Sequence, residues 1–106
     1  MARYGKLYRI RPESMEEYQK AHDNVWPEME KLIKDAGFKN YSIFARKDGT
    51  LFAYWEHDDM DEGIKILNSS EVRPKWEEYM DKFFIKKDKS IVGPEYEDLK
   101  EVWHLD

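Results

Sequence analysis

The chain has 106 residues, enough for one hydrophobic core, and we read residues 1–106 as a single domain. Charged residues make up 39 % and aromatics 15 %, which describes a globular domain and argues against disorder. The net charge of −5 gives no general attraction to nucleic acid or anionic lipid, and the absence of cysteine excludes disulfides, thiol catalysis and Cys-based zinc sites.

Met-Ala-Arg-Tyr-Gly-Lys at the start has no apolar core of a signal peptide, no apolar run approaches a membrane span, and a cysteine-free chain suits a reducing cytoplasm. Tyr4 to Ile10 reads as a first strand, closed by Pro12. From Met15 the period changes: Met15, Tyr18, His22, Val25, Met29, Leu32 and Ala36 recur at alternate spacings of three and four, one face of an amphipathic helix that stops at Gly37. Pro27 removes a helical hydrogen bond and predicts a kink or break near residues 23 to 27.

Phe38 to Arg46 and Thr50 to His57 are β-rich, and Asp48-Gly49 between them signals a hairpin. A two-residue loop sets Lys47 opposite Thr50, Tyr41 opposite Glu56, and Ile43 opposite Tyr54. Ser42 opposite Trp55 and Phe44 opposite Ala53 then point to the other face. Asp59 to Leu67 reads as a short helix, and Ser69 and Ser70 cap another with the stripe Val72, Trp76, Tyr79, Met80 and Phe83. Lys86 to Glu95 reads as a surface loop, and Leu99 to Leu105 as a final strand. The order β-α-β-β-α-β gives a ferredoxin-like α+β fold, a four-stranded antiparallel sheet with helices on one face. The hairpin strands are apolar on both faces, so the bare face predicts a homodimer packed sheet to sheet, with Trp55 in the partner-facing layer.

His22 interrupts an apolar stripe, one turn after Tyr18 and one before Trp26. Imidazole exchanges protons near neutral pH, so it is the candidate acid or base; the bland reading is a core histidine held by a backbone carbonyl or by Tyr18. Tyr18, Trp26, Tyr41, Tyr54 and Trp76 are expected to converge between helices and sheet, with Glu56 sharing that layer through Tyr41. Aromatic faces with polar handles suit a sugar, which has apolar C–H faces and polar rims. His57 and His104 lie at strand ends, and His57-Asp58-Asp59 reads as a solvated turn rather than a metal site. Phosphate-loop, nucleophile-elbow and dinucleotide motifs are absent from the sequence.

Glu-Glu-Tyr-Gln at 16 to 19, His22, Trp26-Pro27-Glu28, Asn40-Tyr41, Leu51-Phe52-Ala53, Trp76, Tyr79-Met80 and Glu101-Val102 occur in an order and spacing that resembles the L-rhamnose mutarotases along essentially the whole chain. The resemblance implies a dimeric ferredoxin-like α/β barrel that interconverts the α and β anomers of L-rhamnose without a cofactor. It implies His22 as proton donor and Tyr18, Tyr41 and Trp76 as sugar contacts. Many members carry a second tryptophan after Trp76; here Glu77 replaces that platform with a charge and becomes a further candidate contact. Opening a pyranose needs a proton on the ring oxygen and loss of one from the anomeric hydroxyl, so an acid and a base suffice. Tyr41, Glu56 or a water are the candidate bases. Other readings of the same architecture are a mutarotase for another 6-deoxyhexose, a small cofactor-free monooxygenase, and a dimeric sugar-binding module.

Overall fold

The computed structural model describes residues 2–106. Strand β1 (Ala2–Ile10) leads through a 3-10 turn at Pro12–Ser14 into helices α1 (Met15–Asp23) and α2 (Pro27–Asp35). The hairpin β2 (Lys39–Ala45) and β3 (Thr50–His57) follows, then α3 (Met60–Asn68) and α4 (Val72–Met80), a 3-10 turn at Asp81–Phe83, and the short strands β4 (Phe84–Ile85) and β5 (Glu97–Leu99). The sheet order is β2-β3-β1-β4, with β5 also paired to β1, and every pairing is antiparallel. This is the ferredoxin-like α+β arrangement that the element order predicts. No helix among the described residues is long and apolar enough to cross a membrane.

The expected break in the first helical segment is present. Pro27 occupies the first turn of α2, where its missing N–H costs nothing, and Trp26 stands at the N-cap with extended backbone. On β3 the alternation is complete: Leu51, Ala53, Trp55 and His57 are buried beneath the helices, while Phe52, Tyr54 and Glu56 face the other way. Tyr8 and Ile10 of β1 join the same core, with Tyr18, Met80 and Phe83 from the helical layer.

The hairpin register differs by one residue from the expected one. Its loop has three residues, Lys47, Asp48 and Gly49, because Arg46 rather than Lys47 faces Thr50: the Arg46 N–H donates to the Thr50 carbonyl at 2.8 Å. Asp48 secures the turn by accepting from the Thr50 N–H at 2.9 Å and from the Arg46 guanidinium. Gly49 has φ +93°, the left-handed conformation that closes such loops. The paired residues are therefore Ala45 with Leu51, Phe44 with Phe52, Ile43 with Ala53 and Ser42 with Tyr54. A one-residue slip exchanges faces. Tyr41 thus shares the helix-covered face with Trp55, their ring centroids 5.2 Å apart, and Tyr54 and Glu56 lie on the opposite face.

Two further expectations are corrected. Residues 100–106 form no strand; the pairing with β1 ends at Leu99, and beyond it Glu101 meets β1 through its side chain, accepting from the Arg3 guanidinium at 2.7 Å. His57 is buried rather than solvated. Its Nε2–H donates to the Ala36 carbonyl at 2.5 Å, and its Nδ1 accepts from the Asp59 N–H at 2.9 Å, so one ring ties α2, β3 and the start of α3 together.

Two substitutions test this frame. A Cβ on Gly49 would meet the Ile10 carbonyl oxygen at 2.2 Å in a backbone conformation L-residues disfavour. A Cβ on Gly63 would meet His57 Nε2 at 2.5 Å. Gly49→Ala and Gly63→Ala are each expected to lower stability by about 2 kcal/mol or more, read as a shift in the urea midpoint.

Candidate functional site

A cleft of about 860 Å³ opens between the helices and the covered face of the sheet. Tyr18, His22, Tyr41, Trp76 and Glu77 all line it. The helix period explains how α1 contributes Tyr18 and His22 together, and α4 contributes Arg73, Trp76, Glu77 and Met80. The cleft-facing stripe of α4 is thus rotated from the expected one: Tyr79 is largely exposed, and its ring packs on Trp26.

His22 stands between Tyr18 and Trp76, with ring centroids 4.4 Å and 6.1 Å away. Its Nδ1–H donates to the Tyr18 carbonyl at 3.0 Å. That bond places the proton on Nδ1 and leaves the Nε2 lone pair free. Burial pushes the ring's pKa below its ordinary value, outweighing the opposing pull of the Tyr18 carbonyl and of Asp23. At neutral pH His22 is therefore an uncharged imidazole, able to accept a proton before giving one.

The Tyr18 hydroxyl pairs with the buried Tyr8 hydroxyl at 2.8 Å. Burial pushes both phenols well above their ordinary pKa, so both stay protonated and serve as hydrogen-bond donors and acceptors. Tyr41 is also pushed up by burial, so at neutral pH it stays a protonated phenol and supplies no phenolate base. Its ring packs against Phe38 and Trp55. Trp76 is buttressed from behind by Trp26, edge to face at 5.1 Å.

The site is narrower than the sequence suggests in one respect and wider in another. Tyr18, Tyr41 and Trp76 converge with His22, whereas Trp26 stands behind Trp76 and Tyr54 lies on the far side of the sheet. Glu56 is on that far side too, accepting from the Tyr54 hydroxyl at 2.8 Å and from Asn40 at 3.1 Å, and it is not part of the cleft wall. The register shift accounts for both corrections. Sequence reasoning missed Tyr8, Lys6, Arg73 and Tyr96. The alternation that buries Ile10 also points to Tyr8 and Lys6, and the i−3 spacing from Trp76 points to Arg73. Tyr96 carries no such signal, because it arrives on the irregular segment after β4.

The profile of the L-rhamnose mutarotase family matches residues 3–105. An L-rhamnose mutarotase of Ligilactobacillus salivarius is 41% identical over 109 residues, covering 98% of this chain and 97% of that one. One from Listeria monocytogenes is 42% identical over 106 residues, covering 99% of each. The crystal structure of an L-rhamnose mutarotase from Formosa agariphila superposes with a TM-score of 0.83 at 27% identity, over the full length of both chains. A dimeric ferredoxin-like protein from an uncultured marine organism shares the fold, with a TM-score of 0.63 at 15% identity. With the match running from end to end, the chain belongs to the L-rhamnose mutarotase family.

Proposed function

We propose that the chain is an isomerase that interconverts the α and β anomers of L-rhamnose, with His22 as the proton-transfer group. The observation that carries this reading is the free Nε2 of an uncharged His22, enclosed by Tyr18 and Trp76 in a cleft large enough to admit a sugar. In ring opening the anomeric O–H bond breaks and its proton passes to Nε2, C1 gains a carbonyl, and the C1–O5 bond breaks. The imidazolium then returns a proton to O5. Both oxygens are bonded to C1, so one nitrogen serves them in turn. Rotation of the open-chain carbonyl and reclosure reverse these steps and invert C1. His22 is a proton donor in this scheme only after it has been an acceptor, and Tyr18, Tyr41, Trp76 and Glu77 hold the ring. A cytoplasmic setting belongs to the same reading and is supported by the cysteine-free sequence.

Saturation-transfer NMR of anomer exchange tests the assignment. His22→Gln is expected to lower kcat/KM for L-rhamnose by roughly 100-fold or more, with sugar affinity retained. A loss below about tenfold identifies His22 as a packing residue, since a positioned acid–base group contributes more than that. Activity should hold a plateau at neutral pH and fall as pH drops through the lowered pKa of His22, because protonation removes the acceptor. Stability should fall in the same direction. The unfolded ring binds its proton at the ordinary value and the folded ring only below it, so this contribution is complete above about pH 6.5 and is lost as pH falls through the folded value. His22→Gln should flatten that acid limb in thermal unfolding.

The reading includes a homodimer packed through the open sheet faces. That face carries Leu7, Phe44, Phe52 and Tyr54, with Phe44 61 % exposed and stacked on Phe52 at 6.2 Å. An aromatic surface of this kind is what a partner sheet would cover. Trp55, placed in that layer from the sequence, belongs to the core instead, so Trp55→Glu would unfold the chain rather than separate two copies. Phe44→Glu is the clean variant. Light scattering at micromolar concentration should give twice the chain mass for the parent and the single chain mass for Phe44→Glu, with the thermal transition of the monomer still cooperative.

A further inference from the structure

Beside Glu77, the cleft wall carries Arg73 and Tyr96, to which neither the resemblance nor the family match assigns a role. Arg73 and Glu77 form an ion pair on α4, Nε to Oε1 at 2.7 Å, with each side chain only about a third exposed. A second guanidinium nitrogen, Nη1, donates to Asn68 Oδ1 at 2.8 Å. The remaining Nη2 and Glu77 Oε2 have no hydrogen-bond partner among the described residues, and neither is sealed from solvent. The segment that carries Tyr96 runs against the pair: a Cβ on Gly93 would stand 3.5 Å from the Glu77 carboxylate. Arg73, Glu77, Tyr41 and Tyr96 all line the cleft.

Helix electrostatics do not explain the pair. Arg preceding Glu at i,i+4 is the less favourable orientation on a helix, and partly exposed pairs contribute only about 0–1 kcal/mol. The loop that brings Tyr96 to the pair is itself tied down. Asp81 accepts from the Gly93 N–H at 2.9 Å and pairs with Lys86, whose ammonium also reaches the Ile91 carbonyl. Glu95 accepts from the Lys87 N–H at 2.8 Å. The chain therefore fixes a donor, an acceptor and two phenols on one wall of a largely apolar cleft.

We propose that Arg73, Glu77 and Tyr96 form the hydroxyl-reading end of the cleft, binding two adjacent hydroxyls of a pyranose whose anomeric centre lies at His22. The guanidinium Nη2 donates to one hydroxyl oxygen, Glu77 Oε2 accepts from its neighbour, and the Tyr96 hydroxyl bridges them. A carboxylate and a guanidinium match a vicinal diol because each supplies what one hydroxyl lacks, in charge-assisted bonds. The ligand class is thus a pyranose with an intact vicinal diol remote from C1. The inference rests on the mutarotase reading and adds the residues that select the sugar.

The test is anomer exchange measured over a range of sugar concentrations with the full chain, for L-rhamnose and its 2-, 3- and 4-deoxy analogues. Glu77→Gln, Arg73→Gln and Tyr96→Phe should each raise KM for L-rhamnose by roughly 5- to 20-fold, the loss of one hydrogen bond to a charged or phenolic group, with the change in KM and not in kcat. At least one deoxy analogue should bind poorly to the parent and be indifferent to Glu77→Gln, since the hydroxyl that the carboxylate reads is missing. An unchanged KM in all three variants overturns the proposal, as does an equal loss for every analogue accompanied by a lowered thermal midpoint, which marks a structural ion pair. Tyr96→Phe keeps the test decisive if either charge variant folds poorly, because it removes one oxygen from a half-exposed ring. A parent chain that accelerates exchange of none of these sugars overturns the mutarotase reading instead.

Discussion

The turn at Lys47-Asp48-Gly49 sets the face of every residue in the hairpin, and the cleft depends on it. Gly49 in the left-handed conformation lets Arg46 close on Thr50, and the Gly49 carbonyl accepts from the Ile10 N–H at 2.9 Å, which ties the turn to the end of β1. With that register, Tyr41 and Trp55 lie beneath the helices. With a register one residue away, Tyr41 would pair across from Glu56 and the cleft would lose a wall. A backbone conformation at one glycine thus decides which aromatic rings are available to a ligand.

Helical packing supplies the other half of the site. The break at Pro27 lets α1 and α2 cover different parts of one sheet face, so Tyr18 and His22 of α1 and Met29 of α2 all line the cleft. His57 holds the opposite end through Ala36 and Asp59. Two kinds of polar group meet in the cleft. Burial keeps His22 uncharged, and its bond to the Tyr18 carbonyl leaves Nε2 free. On α4, the Arg73–Glu77 ion pair adds a donor and an acceptor to the wall that Tyr41 and Tyr96 share. Aromatic rings between them offer flat apolar faces to a ligand.

Much of this was legible in the sequence. The element order determined the ferredoxin-like α+β class, the three-four spacing determined that Tyr18 and His22 share a face, Pro27 marked the helix break, and Trp76 lay on a cleft-facing stripe. The family resemblance added an activity to those residues. Such signals are local, since they depend on periods of 2 and 3.6 residues and on the restricted backbone of proline. What only the tertiary structure decided was longer in range or finer in register. Asp-Gly fits a two-residue or a three-residue loop, and the choice was made by Ile10 and Asp48 contacts that no pattern in the hairpin itself records. That choice moved Trp55 into the core and Glu56 and Tyr54 out of the site. Tyr96 reached the cleft because Asp81 and Glu95 anchor an irregular loop, and the last strand pairs only Glu97 to Leu99 with β1. A sequence states the period of an element; which of its faces meets another element is settled by packing, where a shift of one residue exchanges inside and outside.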